Sequence, residues 1–120
     1  MTIAQALSAL DQRRHNGRTL EEKLRWLSQL DGTLRLLVLD RYGKGEFTPY
    51  TVDTPMDRQL LVGPPFEEIY LYWLEAQVCL ADGEIAEYNN AITQYNRLYQ
   101  AFGNHQNRTR IPKGEQRFRF

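Results

Sequence analysis

A regular run of apolar residues between Phe66 and Phe102 constrains the fold of this chain more than any other feature. The apolar positions succeed one another at alternating steps of three and four residues through the whole run. An α-helix is the structure that places side chains with that spacing on one face, where they form a continuous seam. The seam comprises Leu71, Leu74, Val78, Ala81, Ile85, Tyr88, Ile92, Tyr95, Tyr99 and Phe102.

The second half of the seam contains three tyrosines. A tyrosine has a large apolar ring and a hydroxyl group that needs a hydrogen-bond partner, so it suits a surface that is buried on one side and wet on the other. Such a surface is either an internal core or a contact between subunits. We therefore predict a packing or oligomer seam at Ile85, Tyr88, Ile92, Tyr95 and Tyr99.

Asp82-Gly83 leaves two arrangements open for residues 66–102. A turn at this point would fold the run into a helical hairpin. An unbroken helix of 37 residues would be about 55 Å long, whereas a compact domain of this size has a radius of gyration of only about 14 Å. Because the apolar spacing continues across Gly83, we favour a nearly continuous helix, kinked at Gly83, which would need support from another subunit.

The N-terminal third predicts two further helices. Thr2 is a suitable N-cap for a first helix that ends near His15. Thr19 and Glu22 have the spacing of a capping box, in which each side chain satisfies the other residue's backbone N–H, and they open the second helix. The run from Leu34 to Leu39 is apolar nearly all round, and we favour a helix over a short strand there.

A long irregular connection follows over residues 43–65 and includes four prolines. Its apolar segment Leu60–Val62 is expected to pack on the helices rather than to pair with a neighbouring subunit. Pro65 is expected in the first turn of the next helix, where proline is tolerated. Gly103 is expected to end that helix as a C-cap. The sequence thus predicts an all-α domain over residues 1–103.

Charge is unevenly distributed although the formal net charge of the chain is zero. Residues 64–102 carry a net charge of −5, and residues 103–120 carry +4. We predict that residues 104–120 form a basic, extended tail that orders only on a partner, although a solvated, partly disordered end fits equally well. The docking residues of the tail are Arg108, Arg110, Lys113, Arg117, Phe118, Arg119 and Phe120.

The chain lacks the residue patterns of catalysis and of metal binding. His15 and His105 lie far apart in sequence, and Cys79 is the single cysteine. No group at ligand spacing and no set of nucleophile, base and orienting residue is evident. We therefore expect a protein that is not an enzyme and that needs no metal or cofactor. Trp26 and Trp73 are expected in the core rather than at a ligand or nucleic-acid site.

No stretch approaches the ~18 apolar residues of a membrane-spanning helix. The first residues also lack the basic start and apolar block of a secretory signal, so no membrane partner is expected.

A polar stripe borders the seam at intervals of seven residues. It consists of Glu75, Asp82, Asn89 and Asn96. A polar stripe beside a buried seam is more typical of an interface rim than of acid–base chemistry. Asn89, Asn90 and Asn96 also lower helix stability, so they either set the register with a neighbouring subunit by hydrogen bonding or are simply solvated.

Four short segments, in order along the chain, resemble a family of small tailed-phage structural proteins. Lys23–Gly32 resembles the family's K-x-R-W-L-x-x-L-D-G segment, and Leu60–Phe66 resembles its L-L-V-P-x-P-Y segment. Tyr72–Ala76 and Gly83–Asn90 resemble its Y-L-E-A and G-E-x-x-R-Y-N-N segments. The resemblance spans roughly residues 19–102 and does not include the basic tail.

The family resembles the head–tail connectors, or adaptors, of long-tailed DNA phages. The resemblance implies a helical, non-enzymatic virion protein, made in the cytoplasm of the bacterial host and located in the virion neck. It implies a ring, usually twelve-fold, that docks beneath the portal protein and contacts a stopper or tail-completion protein. DNA would pass through the ring without sequence-specific binding. The alternative is a small helical regulator that binds nucleic acid through its basic tail.

Overall fold

A computed structural model describes residues 1–36 and 47–109 of the chain, except for the side chains of residues 107–109. Within that part the regular structure is helical, apart from one isolated antiparallel β-bridge between Thr2 and Gln59. The prediction of an all-α fold is therefore confirmed. The four helices are α1 (Ile3–Arg13), α2 (Leu20–Leu34), α3 (Glu68–Ala81) and α4 (Ile85–Thr109).

Helix α3 is the central element, and it packs against each of the other three helices. Its buried residues are spread around the whole circumference of the helix: Ile69, Tyr70, Leu74, Ala76, Val78 and Cys79. A helix that is apolar on all sides is stable in water only when neighbours cover it on all sides. Helices α1 and α2 therefore have to cover one side of α3, and α4 covers the other.

Helices α3 and α4 form a hairpin, so the favoured prediction of a nearly continuous helix is wrong. Helix α3 ends at Ala81, Gly83 adopts a positive φ of 78°, and α4 begins at Ile85. The turn occupies only three residues, so the apolar spacing of three and four continues through it although the chain reverses. Packing explains the choice, because α3 and α4 bury their apolar faces against each other within one chain.

Both N-terminal helices begin at the predicted caps. The Thr2 side chain accepts a hydrogen bond from the Gln5 backbone N–H, and the Gln5 side chain accepts one from the Thr2 backbone N–H. Thr19 and Glu22 form the predicted capping box, with distances of 3.1 and 3.2 Å. Each box satisfies backbone N–H groups that the first turn of a helix leaves without partners.

The irregular segment 47–66, called the extended segment below, contacts α1, α2 and α3 and contains hydrogen-bonded turns at residues 51–54, 55–58 and 63–66. Leu60 and Val62 are buried, which confirms that this apolar segment packs on the helices. The carbonyls of Arg58 and Met56 accept hydrogen bonds from the Ile3 and Ala4 backbone N–H groups at 3.1 and 2.9 Å. The segment thereby completes the N-terminus of α1, whose first amides have no partner within the helix.

Two predicted helix boundaries are wrong. Helix α3 begins at Glu68, so Pro65 precedes the helix and does not lie in its first turn. Helix α4 continues through Gly103 to Thr109, and Gly103 does not adopt a positive φ. Buried Phe102 and half-buried His105 both place their rings against Phe66, at centroid distances of 5.5 and 5.4 Å, and these contacts hold the last turns.

The helix predicted over Leu34–Leu39 is observed only at its start. Helix α2 ends at Leu34, and Arg35 and Leu36 continue as a wider turn. The rest of this predicted helix, from residue 37 to residue 39, lies outside the described residues, as does the start of the connection predicted over residues 43–65.

Replacing Gly83 by alanine tests the turn of the hairpin. An L-residue in this left-handed conformation is disfavoured by roughly 1–2 kcal/mol, and no atom lies within 4 Å of the new Cβ to complicate the result. We expect Gly83→Ala to lower the free energy of unfolding by about that amount in urea denaturation. Gly17→Ala is the matched control, because its Cβ also meets open space but its φ is not positive. Equal effects of the two substitutions would contradict the observed turn.

Candidate functional site

The seam of α4 faces mainly into the molecule. Tyr95 packs on Trp73 of α3 at a ring-centroid distance of 5.0 Å, and on Tyr99 at 5.8 Å. Burial, and secondarily Tyr99, raises the pKa of Tyr95 to about 12. Tyr88 and Ile92 are half-buried. The structure thus packs Tyr95 and Tyr99 of the predicted seam on the core of the same chain, and the described residues cover the other three members only in part.

The seam is exposed where the hairpin turns. Ile85 is 54% exposed and Leu80, on the other side of the turn, is 49% exposed. Ala81 and Ala86 are exposed beside them. This end of the hairpin therefore presents apolar side chains that the described residues cover only in part, and such positions suit contacts with another protein.

The acidic residues of the predicted stripe pair with arginines at the end of α1 and in the connection to α2. Glu75 lies 3.5 Å from the guanidinium groups of both Arg13 and Arg14. Asp82 pairs with Arg18. These two acids therefore tie α3 to the N-terminal third of the chain. The two asparagines of the stripe, in contrast, are exposed to solvent on α4.

Arg14 is the centre of a larger cluster at the start of α4. Its guanidinium group donates to Glu84 at 2.9 Å and to Glu87 at 2.8 Å, in addition to its contact with Glu75. The two carboxylates at the start of α4 also lie near the positive end of the helix dipole, which favours them there. Arg14 thereby connects α1 to the first turn of α4.

The same cluster includes a group of metal-type ligand atoms. The donor atoms of Cys79, Glu84 and Glu87 lie within 4.8 Å of one another. Both carboxylates, however, already bind the Arg14 guanidinium group, and burial raises the pKa of the Cys79 thiol, which favours its uncharged form. These contacts account for the grouping without a bound cation.

An open cleft of about 340 Å³ lies beside this cluster. Its walls are Arg14, Tyr72 and Glu75 on one side and residues 87–94 of α4 on the other. The described lining combines charged groups with two amides and the hydroxyl-bearing side chains of Tyr72 and Thr93. A second groove, of about 270 Å³, lies between the first half of α2 and residues 49–52.

Asp31 is the most heavily hydrogen-bonded buried group described. It is fully buried on α2 and accepts hydrogen bonds from the hydroxyls of Tyr50 and Tyr70 at 2.6 and 2.7 Å. It also accepts from the Leu61 backbone N–H at 3.3 Å, and the Tyr70 hydroxyl in turn accepts from the Val62 N–H at 2.8 Å. The network joins α2, α3 and the extended segment.

The hydrogen-bond network of Asp31 was not predicted from the sequence. The one sequence feature that pointed to it was an acidic residue, Asp31, next to Leu30 at the apolar face of α2. A buried carboxylate needs several donors to offset the loss of water, and tyrosine hydroxyls are suitable donors in an apolar core. The donors stand 19 and 39 residues further along the chain, at distances that no local pattern relates to Asp31.

The two tryptophans lie in the core, as predicted. Trp26 is buried and Trp73 packs against the core from α3. The Trp73 indole N–H donates to the Trp26 backbone carbonyl at 2.7 Å, so the polar edge of the ring is satisfied. Neither ring is presented as a stacking surface for nucleic-acid bases.

The predicted docking tail lies almost entirely beyond the described part. Arg108 belongs to the last turn of α4, and residues 110–120 lie outside the described residues. The basic segment therefore begins on the helix itself and is not a separate extension that starts after Gly103. Its contacts stay a prediction.

Comparisons of this chain with protein-family models, with curated proteins and with solved structures found no match. In the part of the chain that the structure describes, no helix combines the length and the apolar character needed to cross a membrane.

Tyr70→Phe tests the Asp31 network. The substitution keeps the ring but removes the hydroxyl, which leaves one oxygen of Asp31 and the Val62 N–H without this partner. Buried groups without partners cost about 1–3 kcal/mol each, so we expect a loss of unfolding free energy in that range or above. Tyr72→Phe is the control, because its half-buried ring packs against Arg13 and is retained. Similar stability of the two variants in urea denaturation would contradict the network.

Because Asp31 is buried, we also expect the free energy of unfolding to depend on pH. Burial raises the pKa of the Asp31 carboxyl above its ordinary value. The folded chain therefore binds a proton at Asp31 more tightly than the unfolded chain does, and this adds to the free energy of unfolding. The added free energy is complete below the ordinary carboxyl pKa of about 4, and it is lost as the pH rises through the raised pKa. Relative to Asp31→Asn, the wild-type chain should therefore gain unfolding free energy as the pH falls from about 7 toward about 4. Urea titrations across that range measure the difference, and parallel profiles would contradict a buried, titrating Asp31.

Proposed function

We propose that this chain is a structural virion protein of a tailed phage, a head–tail connector that forms a ring between the portal and the tail or stopper. In this role it is not an enzyme. It binds copies of itself, the portal protein and a stopper or tail-completion protein, and DNA passes through the ring without sequence-specific contacts. The protein is then made in the host cytoplasm and located in the virion neck.

The observation that carries the proposal is that the segments resembling connector proteins meet in the structure. Asp31, from the first segment, accepts a hydrogen bond from Leu61 of the second. Trp26, also in the first segment, accepts from Trp73 of the third. The resemblance therefore falls on residues that determine how the helices and the extended segment pack together, and not on scattered surface positions.

The form of the molecule is also suited to assembly. Helix α4 has 25 residues, or about 37 Å of length, and among the helices it packs chiefly on α3. Its N-terminal end carries Glu84 and Glu87, which bind Arg14 of the same chain, whereas its C-terminal end leads into the basic residues that follow Thr109. A closed ring requires two different faces of each subunit to meet, and the two ends of α4 differ in composition and charge.

The alternative, a regulator that binds nucleic acid, rests on the basic tail alone. The described helices give it little support, because residues 64–102 carry a net charge of −5 and would repel phosphates. Binding of duplex or single-stranded nucleic acid that weakens steeply with salt would favour this alternative.

Quantitative mass spectrometry of purified phage particles tests the connector proposal directly. The amount of this chain is measured relative to the major capsid protein of the same particles. We expect a copy number equal to one ring of subunits in each particle, because one connector serves one portal. Absence of the chain from intact particles would overturn the proposal.

Removal of residues 110–120 tests whether the tail docks the ring on the portal. A chain ending at Thr109 retains every described contact, so its helical content and melting temperature should equal those of the full chain. We expect it to be missing from particles when it replaces the full-length protein, because it lacks all of the predicted docking residues except Arg108.

The control is a full-length chain that carries glutamine in place of each arginine and lysine among residues 110–120. It distinguishes the effect of the tail's charge from the effect of its length. Normal particles with the shortened chain would show that the tail does not dock.

A further inference from the structure

The open cleft beside Arg14 has hydrogen-bonding capacity that its own walls do not use. Its volume of about 340 Å³ is at the lower end of the range of about 300–1,000 Å³ that is typical of ligand sites. The charged part of its lining consists of Arg14, Glu75 and Glu87. These side chains carry one positive and two negative charges, so the lining attracts a cation.

Glu75 lies between two arginines of the N-terminal third but is held only loosely by them. Its carboxylate oxygens lie 3.5 Å from the Nε atoms of Arg13 and Arg14, whereas an ordinary N–H···O hydrogen bond is about 2.7–3.2 Å long. The Arg14 Nε atom is buried and has no hydrogen-bond partner among the described residues. The Glu75 side chain is only 18% exposed. A carboxylate that is largely shielded from water therefore retains acceptor capacity at the wall of the cleft.

Two further acceptors lie at the mouth of the cleft. Glu87 binds Arg14 through its Oε1 atom, and its side chain is 49% exposed. Asn90 is exposed and adds an amide oxygen. A guanidinium group has five N–H donors in one plane, so a single arginine side chain can bind two carboxylates and an amide oxygen together. The cleft thus fits an arginine.

We infer that Arg117 or Arg119 of this chain's own C-terminal tail occupies the cleft in the free subunit. The side chains of residues 110–120 carry a net charge of +3, opposite in sign to the cleft. Pro112 and Gly114 are poor helix formers, so the sequence favours a change of direction soon after α4. The inference builds on the docking tail of the proposed connector, and it adds a contact that holds the tail before the portal is reached.

The tail is long enough to reach the cleft along α4. Thr93, in the cleft lining, lies 16 residues before Thr109, which is about 24 Å along the helix axis. An extended chain spans at most about 26–29 Å from Thr109 to Arg117 and about 33–36 Å to Arg119. Lys113 is at most about 14 Å from Thr109. The two arginines near the end of the chain can therefore lie at the cleft, whereas Lys113 cannot.

Other occupants fit the cleft less well. A nucleic acid would bring its phosphates against the carboxylates of Glu75 and Glu87. A separate cationic partner lacks the effective concentration, in the millimolar range, that attachment to the same chain gives the tail. An exposed ion pair adds little to stability, so the contact is compatible with an unchanged melting temperature of the chain that ends at Thr109. A partner that binds the tail more strongly can also displace it.

A disulfide-trapping experiment on the full-length chain tests the inference. Thr93→Cys places a thiol at the cleft, and Phe118→Cys places one between the two tail arginines. Cys79 is buried and is left unchanged. Equilibration with reduced and oxidised glutathione measures the effective concentration of the new pair, and peptide mapping identifies the bond. We expect a disulfide within one chain, with a yield that does not depend on protein concentration.

The matched control carries the same two cysteines with Arg117→Gln and Arg119→Gln, so the length of the tail is unchanged. We expect its effective concentration to be roughly fivefold lower, and high salt to reduce the difference. In the arginine-containing chain, Asn90→Lys places a like charge in the cleft and should cause a similar loss. Asn96→Lys, which is exposed on α4 outside the cleft, should cause none. Circular dichroism melting verifies that all variants are folded.

Nuclear magnetic resonance gives a second test without introduced cysteines. Replacing Arg117 and Arg119 by glutamine should shift the side-chain amide signals of Asn90 and leave those of Asn96 unchanged. Unshifted Asn90 signals would overturn the inference. Equal effective concentrations with arginine and glutamine tails would also overturn it, as would disulfides that form only between chains.

The failure of this inference is distinguishable from the failure of the connector proposal. The trapping experiment concerns the isolated chain, whereas the copy number in purified particles judges the connector. A disulfide within the chain combined with absence from particles would retain the contact between tail and cleft and reject the connector. A normal copy number without the disulfide would do the reverse.

Discussion

The structure depends on the hydrogen bonds that Asp31 accepts. A carboxylate without water is unfavourable in a protein core unless several donors surround it. Here the donors come from Tyr70 of α3, and from Tyr50 and Leu61 of the extended segment. The extended segment has no helix or sheet of its own to fix its course. Its attachment to α2 therefore determines where it crosses the helices, and the same crossing supplies the carbonyls that complete the start of α1.

Local patterns in the sequence were sufficient for the N-terminal helices. The caps at Thr2 and Thr19 depend on residues three positions apart, and the apolar spacing of α1 and α2 depends on neighbours within one or two turns. Burial of Trp26 and of the segment around Val62 followed from the same reasoning. Interactions between residues that are close in the sequence could thus be predicted, because both partners belong to the same local pattern.

The predictions that were wrong or missing concern interactions between residues that lie far apart in the sequence. The apolar spacing across Gly83 is the same for a straight helix and for a hairpin with a three-residue turn, so only packing between α3 and α4 distinguishes them. Glycine is the typical C-cap residue, but Gly103 does not end α4. The contact of Phe102 with Phe66, 36 residues earlier, stabilises the helix at this point. The partners of Asp31 are equally remote. Sequence reasoning could locate the seam, but not the side of it that a partner would use.

Helix α4 is held at its two ends by groups from outside the hairpin. At its start Arg14 bridges from the end of α1, and near its finish Phe66 packs against Phe102. Between these points its neighbour among the helices is α3. Along its length α4 covers one side of α3 and contributes Phe102 to the core. The two end contacts therefore restrict how α4 can slide along α3 or rotate about its own axis, so groups outside the hairpin help to fix its register.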